Sequence, residues 1–257
     1  MTVPVTVSRL AIAPVKGMRL QCTSELQLGQ HGISGDRQFL VVGEDGDLLL
    51  TARFPALLRV EAAWDEARTV LTLGFPDGDV VQDTPECGRR ATTRMYDGRE
   101  IPGWIIPGSL SVALSGYLGR PVHLFKRAPE HLGCDDEPVT LMSEASLQAL
   151  APEFSGTAPD PRRFRMSITV AGTDAWAEHA WGGKEVVIGD GVLRVITPVP
   201  RCVVTTRNPD SGATDARVLH ALARLRGRND IAFGVWCEIL RPGSIHVGDA
   251  VTRRPHG

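Results

Sequence analysis

Cys202 stands between Arg201 and the β-branched run Val203-Val-Thr-Thr206, in the stretch PVPRCVVTTRNPDSG. A thiolate is both a nucleophile and a metal ligand, and an arginine beside a thiol favours its charged form. The bland alternative is a small apolar filler on a buried strand, the usual fate of an isolated cysteine. A second set of residues is cationic. Lys16 precedes Gly17, where a ligand can approach the backbone closely. Arg37 ends Gly35-Asp-Arg37, Arg53 ends Thr51-Ala-Arg53, and Arg162, Arg163 and Arg165 surround Phe164. Ser143 sits where a helix would begin, and helix-start amides suit an anion. Gathered together these groups would wrap a phosphate; taken singly, each is a solvated charge or an ion-pair partner.

The elements that must position them are mostly strands. Short runs of Val, Ile, Leu and Thr, separated by Gly, Asp and Pro, predict strands over residues 5–13, 37–43, 48–52, 57–64, 69–74, 122–127, 167–171, 184–188, 193–197, 202–207, 232–240 and 250–253. Residues 44–47 form a tight turn that folds 48–52 back as a hairpin. Asn208-Pro-Asp-Ser-Gly212 has the chemistry of a type I turn, which leaves Cys202 just inside a strand near a sheet edge. Apolar spacing predicts helices over 109–118, stopped by Gly119, over 143–150, capped by Ser143, and over 215–226, with Arg224 and Arg226 at the end where the dipole favours cations. The fold class is mainly β with a few helices, β-barrel-like, divided near the polar break APEHLGCDDEP into residues 1–121 and 122–257.

A net charge of −2 argues against nucleic acid as a partner. The sequence has no apolar run of membrane-spanning length and no basic, apolar leader at its start, so neither a membrane span nor a signal peptide is expected. Five cysteines without a CxxC pair disfavour a disulfide framework or a tetrathiolate zinc site and suit the reducing cytoplasm. Cys237 shares a strand face with Phe233, Val235 and Ile239 and reads as core, whereas Cys22, Cys87 and Cys134 read as incidental loop residues. Dinucleotide, P-loop, nucleophile-elbow and HExxH motifs are all missing.

In order, the segments IAPVKGM, GISGDRQFLVVGEDGDLL, LTARFPALLRV, LMSEASLQAL, RRFRMSITV, AWAEHAWGGKEVVIGDGVLRV, PRCVVTTRNPDSG, FGVW and PGSIHVGDAV span nearly the whole chain. Together they resemble the MOSC family, the molybdenum-cofactor sulfurase C-terminal domain, preceded by its N-terminal β-barrel partner, in the arrangement of the amidoxime-reducing components. The resemblance implies a molybdenum–molybdopterin cofactor (Moco), with Cys202 as the metal's protein ligand and as a catalytic residue. It implies cofactor contacts from Lys16, Arg37, Ser143 and Arg165. Arg53, Arg163, Ser167, Arg201 and Thr205, in or beside the same motifs, complete the expected set. The chain differs from the family pattern at Gly17, at Met166-Ser167 and at Glu178-His179. Glu178 is the candidate proton donor, with a structural hydrogen bond as its alternative.

The activity implied is reduction of small N-hydroxylated substrates, amidoximes or hydroxylamines. A separate ferredoxin- or flavin-type reductase supplies electrons, since no ferredoxin-like extension follows RRPHG. The alternatives are a molybdopterin or sulfur carrier with a persulfide on Cys202, and a MOSC-shaped binding module without cofactor.

Overall fold

The computed structural model describes residues 4–254. An eight-stranded sheet runs in the order Val251–Arg254, Glu185–Ile188, Gly191–Pro200, Ala232–Arg241, Val139–Ser143, Ile168–Ala171, Thr6–Ile12, Gln21–Thr23. Its neighbours are antiparallel except Val139–Ser143 and Ile168–Ala171, which run parallel. A parallel pair needs a crossover. Here the crossover is the helix Glu144–Gln148 followed by two 3-10 turns, Ala151–Phe154 and Pro161–Phe164, and it delivers Arg163 and Arg165 to one end of the sheet.

A four-stranded sheet orders Phe39–Gly43, Val122–Arg127, Glu100–Ile106 and Arg90–Arg94, and two three-stranded sheets complete the fold. Among the described strands each sheet runs from edge to edge, so the architecture is mainly β without a barrel closed by strand pairing. Two large cores follow from this. One, around Leu10, Leu141, Trp181 and Cys237, covers the eight-stranded sheet; the other packs Phe39, Leu57, Leu71 and Leu73 under the helix Ser109–Leu118.

The two halves of the chain interleave. Thr6–Ile12 pairs with Ile168–Ala171, Glu25–Gly29 pairs with Gly243–His246, and Val122–Arg127 pairs with Phe39–Gly43. A cut between residues 121 and 122 would therefore separate Val122–Arg127 from both of its hydrogen-bonded neighbours.

Several expected elements differ. The expected strand over 202–207 is a 3-10 turn, Val203–Thr206. The hydroxyls of Thr205 and Thr206 donate to the carbonyls of Cys202 and Val203, at 3.0 and 2.6 Å, and this local bonding outcompetes the strand preference of the β-branched run. The second arm of the 48–52 hairpin reduces to a bridge from Val42 to Leu48 and a hydrogen bond from Leu49 N–H to the Val41 carbonyl. The 57–64 run splits into a 3-10 turn, Pro55–Arg59, and the strand Glu61–Asp65, because Pro55 presets the turn's first residue. The helix expected from 215 starts at Val218. The Arg90–Arg94 and Glu100–Ile106 hairpin escaped sequence reading because one arm is polar and the other carries Pro102 and Gly103.

Cys237 is fully buried in the main core, and burial raises its thiol pKa well above the ordinary value. Cys237→Ser replaces a thiol by a hydroxyl with no site prepared for it. Denaturant unfolding should show a loss of roughly 1–3 kcal/mol. A variant as stable as the parent would mean the site tolerates a polar group.

Candidate functional site

Gly191–Pro200 leaves the large sheet at Pro200, which pairs with Ala232, and Arg201 N–H still bonds to the Ile231 carbonyl at 3.2 Å. The chain then turns sharply. Cys202 occupies the cap position of the Val203–Thr206 turn, its carbonyl accepting from the Thr205 N–H at 3.2 Å and from the Thr205 hydroxyl. The backbone is thus pinned while the side chain is exposed. Burial as an apolar filler fits Cys237 and not Cys202.

The adjacent side chain points the other way. Arg201 Nε donates to the Phe233 carbonyl at 2.9 Å, Nη1 to the Phe164 carbonyl at 3.0 Å, and Nη2 to Met166 Sδ at 2.7 Å. Its guanidinium lies 5.7 and 6.0 Å from the centroids of Phe164 and Phe233, which stack on each other at 4.0 Å. Arg201 therefore fastens the Cys202 turn to the Pro161–Phe164 crossover and the Ala232–Arg241 strand. Burial lowers its pKa to about 9, opposed only in part by Cys202 and Asp135. A guanidinium stays protonated in proteins, so the shift expresses positive charge that its surroundings do not fully balance.

Three more cations meet nearby. Arg37 and Arg165 both hold positive φ, 44° and 53°, sparsely populated for side-chain-bearing residues. Arg37 is fixed by its N–H to the Ala13 carbonyl at 2.7 Å and by an ion pair with Asp36, whose other oxygen accepts the Ala13 N–H at 2.7 Å. Burial works against the Arg37 charge, but Asp36, with help from Cys134 and Asp135, outweighs it and raises the pKa. Arg37 Nη2 also donates to the Arg165 carbonyl at 3.3 Å.

Among the described residues no carboxylate pairs with Arg165. Burial, and next the Arg37 charge, lower its pKa to about 10, and its Nη2 is sealed from solvent without a hydrogen-bond partner. Lys16, held by its N–H to the Phe39 carbonyl at 2.8 Å, puts Nζ 2.6 Å from Asp135 Oδ1. Partial desolvation by neighbouring segments pushes the Asp135 pKa up, but Lys16, Arg37 and Arg165 together bring it below the ordinary value. Lys16 thus contacts the Asp135 carboxylate, and Arg37, Arg165 and Arg201 lie within electrostatic reach of it. Asp135 lies in the acidic run Asp135-Asp-Glu137, and its signal was an acid between basic motifs; read as a domain break, it was missed.

The other expected residues have different surroundings. Arg53 is exposed, on a segment whose Ala52 carbonyl accepts from Arg207 at 3.5 Å. Arg163 pairs with Asp215 at 2.8 Å and donates to the Arg207 carbonyl, anchoring the loop after Cys202. The Ser143 hydroxyl caps its helix by accepting the Ser146 N–H at 3.0 Å. Ser167 is buried against Thr140, with 3.3 Å between their hydroxyls, and Thr205 bonds back to Cys202. Glu178 is fully buried, accepting from the Ser143 N–H at 3.3 Å and the Ser146 hydroxyl at 2.9 Å. This is the structural hydrogen bond weighed as its alternative. Gly17 has φ 88°, and a Cβ there would meet Thr51 Oγ1 at 2.7 Å, which accounts for glycine at that position.

Among the described residues no three His, Cys, Asp or Glu side chains converge as a metal site, and no helix is long and apolar enough to cross a membrane. A metal on Cys202 must therefore bring most of its ligands with it. An exposed thiol on a fixed turn, beside cations in need of an anion, suits a metal carried on a phosphorylated organic ligand.

Residues 4–97 match the model of the MOSC N-terminal beta barrel domain and residues 128–252 that of the MOSC domain. Mitochondrial amidoxime-reducing component 1 of Mus musculus is 26% identical over 96% of this chain and 81% of its own length. A molybdenum cofactor sulfurase of Danio rerio is 25% identical over 90% of this chain, an alignment that covers 31% of that protein. Among solved structures, the YUAD protein from Bacillus subtilis superposes with a TM-score of 0.50 at 14% identity, covering 97% of this chain and 94% of that one, a likeness of fold.

Burial is the main cause that holds the Glu178 pKa above its ordinary 4.5. Between 4.5 and the raised value the native state keeps a proton that the unfolded chain has lost, so this carboxyl's contribution to stability falls as pH rises. The stability of the parent protein relative to Glu178→Gln, measured by denaturant unfolding, should decline above about pH 4.5 and level off once native Glu178 ionises. A difference independent of pH would remove this assignment.

Proposed function

The chain belongs to the MOSC-domain family, with that family's N-terminal β-barrel domain ahead of the MOSC domain, and from this premise we propose a molybdenum-cofactor oxidoreductase that reduces N-hydroxylated substrates such as amidoximes and hydroxylamines. The names of its relatives support both halves of the reading, amidoxime reduction and the molybdenum cofactor. The observations that carry it are the exposure of Cys202 and a buried, unpartnered Arg165 Nη2, on two segments that Arg201 ties together. Cys202 is the protein ligand of the metal, and Lys16, Arg37 and Arg165 hold the phosphate of the pterin. When bound, the molybdenum–pterin group supplies two-electron chemistry at a metal with an open coordination position.

The chain's own residues do the rest. The Thr205 bonds to the Cys202 carbonyl hold the thiol facing outward. Arg201 locks that turn to the crossover bearing Arg165, fixing the distance between the thiol and the phosphate cations. Glu178 keeps the Glu144–Gln148 helix in place through Ser143 and Ser146, and the two protons consumed come from solvent at the exposed lip. Overall, the N-hydroxy compound takes two electrons and two protons and leaves as the amine or amidine plus water. A separate ferredoxin- or flavin-type protein delivers the electrons. Five free thiols suit the reducing cytoplasm.

A second reading, a molybdopterin or sulfur carrier, draws on the same exposed thiol and on the sulfurase relative. A stable gain of about one sulfur on Cys202 by intact mass, without bound metal, would favour it.

Cys202→Ser keeps the volume but offers a hard oxygen donor to a metal that prefers sulfur. Elemental analysis should show molybdenum per chain falling by about tenfold or more, while the melting temperatures of the cofactor-free parent and variant agree, because the side chain is exposed. Undiminished molybdenum would overturn the ligand assignment.

A further inference from the structure

We propose that Asp135 is a resident competitor for the phosphate pocket: its carboxylate occupies Lys16 as the ligand's phosphate would, and it must turn aside for that phosphate to bind. Lys16 Nζ and Asp135 Oδ1 are 2.6 Å apart, with the lysine side chain 14% exposed and the aspartate 57% exposed. Lys16 belongs to the loop after the first strand and Asp135 to the connection between the strands Val122–Arg127 and Val139–Ser143, so the pair is made by tertiary structure alone.

That connection is a folded strap. Arg127 Nε donates to the Arg37 carbonyl at 3.0 Å, and its Nη1 donates to the carbonyls of Pro129 and His131 at 3.0 and 2.6 Å. Gly133 packs so tightly on Arg37 that a Cβ there would collide with the Arg37 carbonyl oxygen. Arg99 Nη2 donates to the carbonyls of Cys134 and Asp135. The backbone on both sides of Asp135 is therefore fastened, whereas its half-exposed carboxylate is free to rotate toward water.

Charge decides what displaces it. Asp135 is a monoanion in contact with Lys16 and within electrostatic reach of Arg37, Arg165 and Arg201, and among the described residues Arg165 Nη2 remains without a partner. A dianionic phosphate brings two charges and three acceptor oxygens to cations that one carboxylate oxygen on Lys16 leaves under-balanced. Asp135 thus acts as a threshold, weakening every anion by the free energy of its own pair with Lys16. The inference deepens the proposed function but stands on the Lys16–Asp135 pair, not on molybdenum.

The test is calorimetric titration of the full-length protein with inorganic phosphate at low salt. Asp135→Asn should bind phosphate on the order of tenfold more tightly than the parent, with the gain shrinking as salt rises. Asp135→Ser, which also removes the charge, should match it and serves if the asparagine variant folds poorly. Asp136→Asn changes net charge equally but not the Lys16 pair, and should leave the affinity within about twofold. Equal affinity in parent and Asp135 variants, no binding by any of them, or an equal gain from Asp136→Asn would each overturn the proposal. Molybdenum content and pterin fluorescence of the purified parent report separately on the cofactor: tighter phosphate binding by Asp135→Asn in a protein that never carries pterin would retain the strap and discard the molybdenum reading.

Discussion

Positive charge withheld from water and short of counter-charge governs the middle of this molecule. Arg165 and Arg201 are both pushed below the ordinary guanidinium range by burial, and neither has a carboxylate in hydrogen-bond contact. An uncompensated buried ion is costly, so the fold must over-determine its position. It does so differently for each. Arg201 is held by two backbone carbonyls beside a stacked pair of phenyl rings. Arg165 is set at a left-handed φ at the close of the Pro161–Phe164 turn, which Asp160 caps from its other end. These arrangements make sense as half of an interaction whose other half is an anion.

The thiol and the cations come from distant parts of the chain, and what joins them is mainly arginine side chains of one segment bonded to backbone carbonyls of another. The Cys202 turn, the Arg165 crossover and the Ala232–Arg241 strand meet through the Arg201 hydrogen bonds. Arg37 and the loop before Val139–Ser143 meet through Arg127 and Gly133. Arg163 supplies a further brace from the crossover to the loop after Cys202. Several polar residues near the site thus position others: the hydroxyls of Ser143, Ser167 and Thr205 are engaged within the protein.

Much of this was legible in the sequence. Regular strands announced themselves by β-branched runs, and the helix Ser109–Leu118 by its apolar spacing and terminal Gly119. The cationic motifs and Cys202 were visible as residue types beside turn chemistry. Three things were hidden. Val203–Thr206 has strand composition, yet threonine hydroxyls bonding three residues back close it into a turn. Which hydroxyls are already engaged depends on partners far away in sequence, as with Ser167 and Thr140. Asp135 looked like solvated linker because nothing local shows that Lys16 reaches it.

The interleaving of the halves governs how the molecule is made. Thr6–Ile12 emerges early from the ribosome, but its partner Ile168–Ala171 follows about 160 residues later, roughly ten seconds or more at usual synthesis rates. Until then Gln21–Thr23 pairs with one edge of Thr6–Ile12, and the other edge, bearing Leu10 of the main core, waits for its partner. The same pairing means that a fragment trimmed to residues 128–252 would leave Ile168–Ala171 as a bare apolar edge. Dissection of this protein into its family modules is thus a topological problem before it is a functional one.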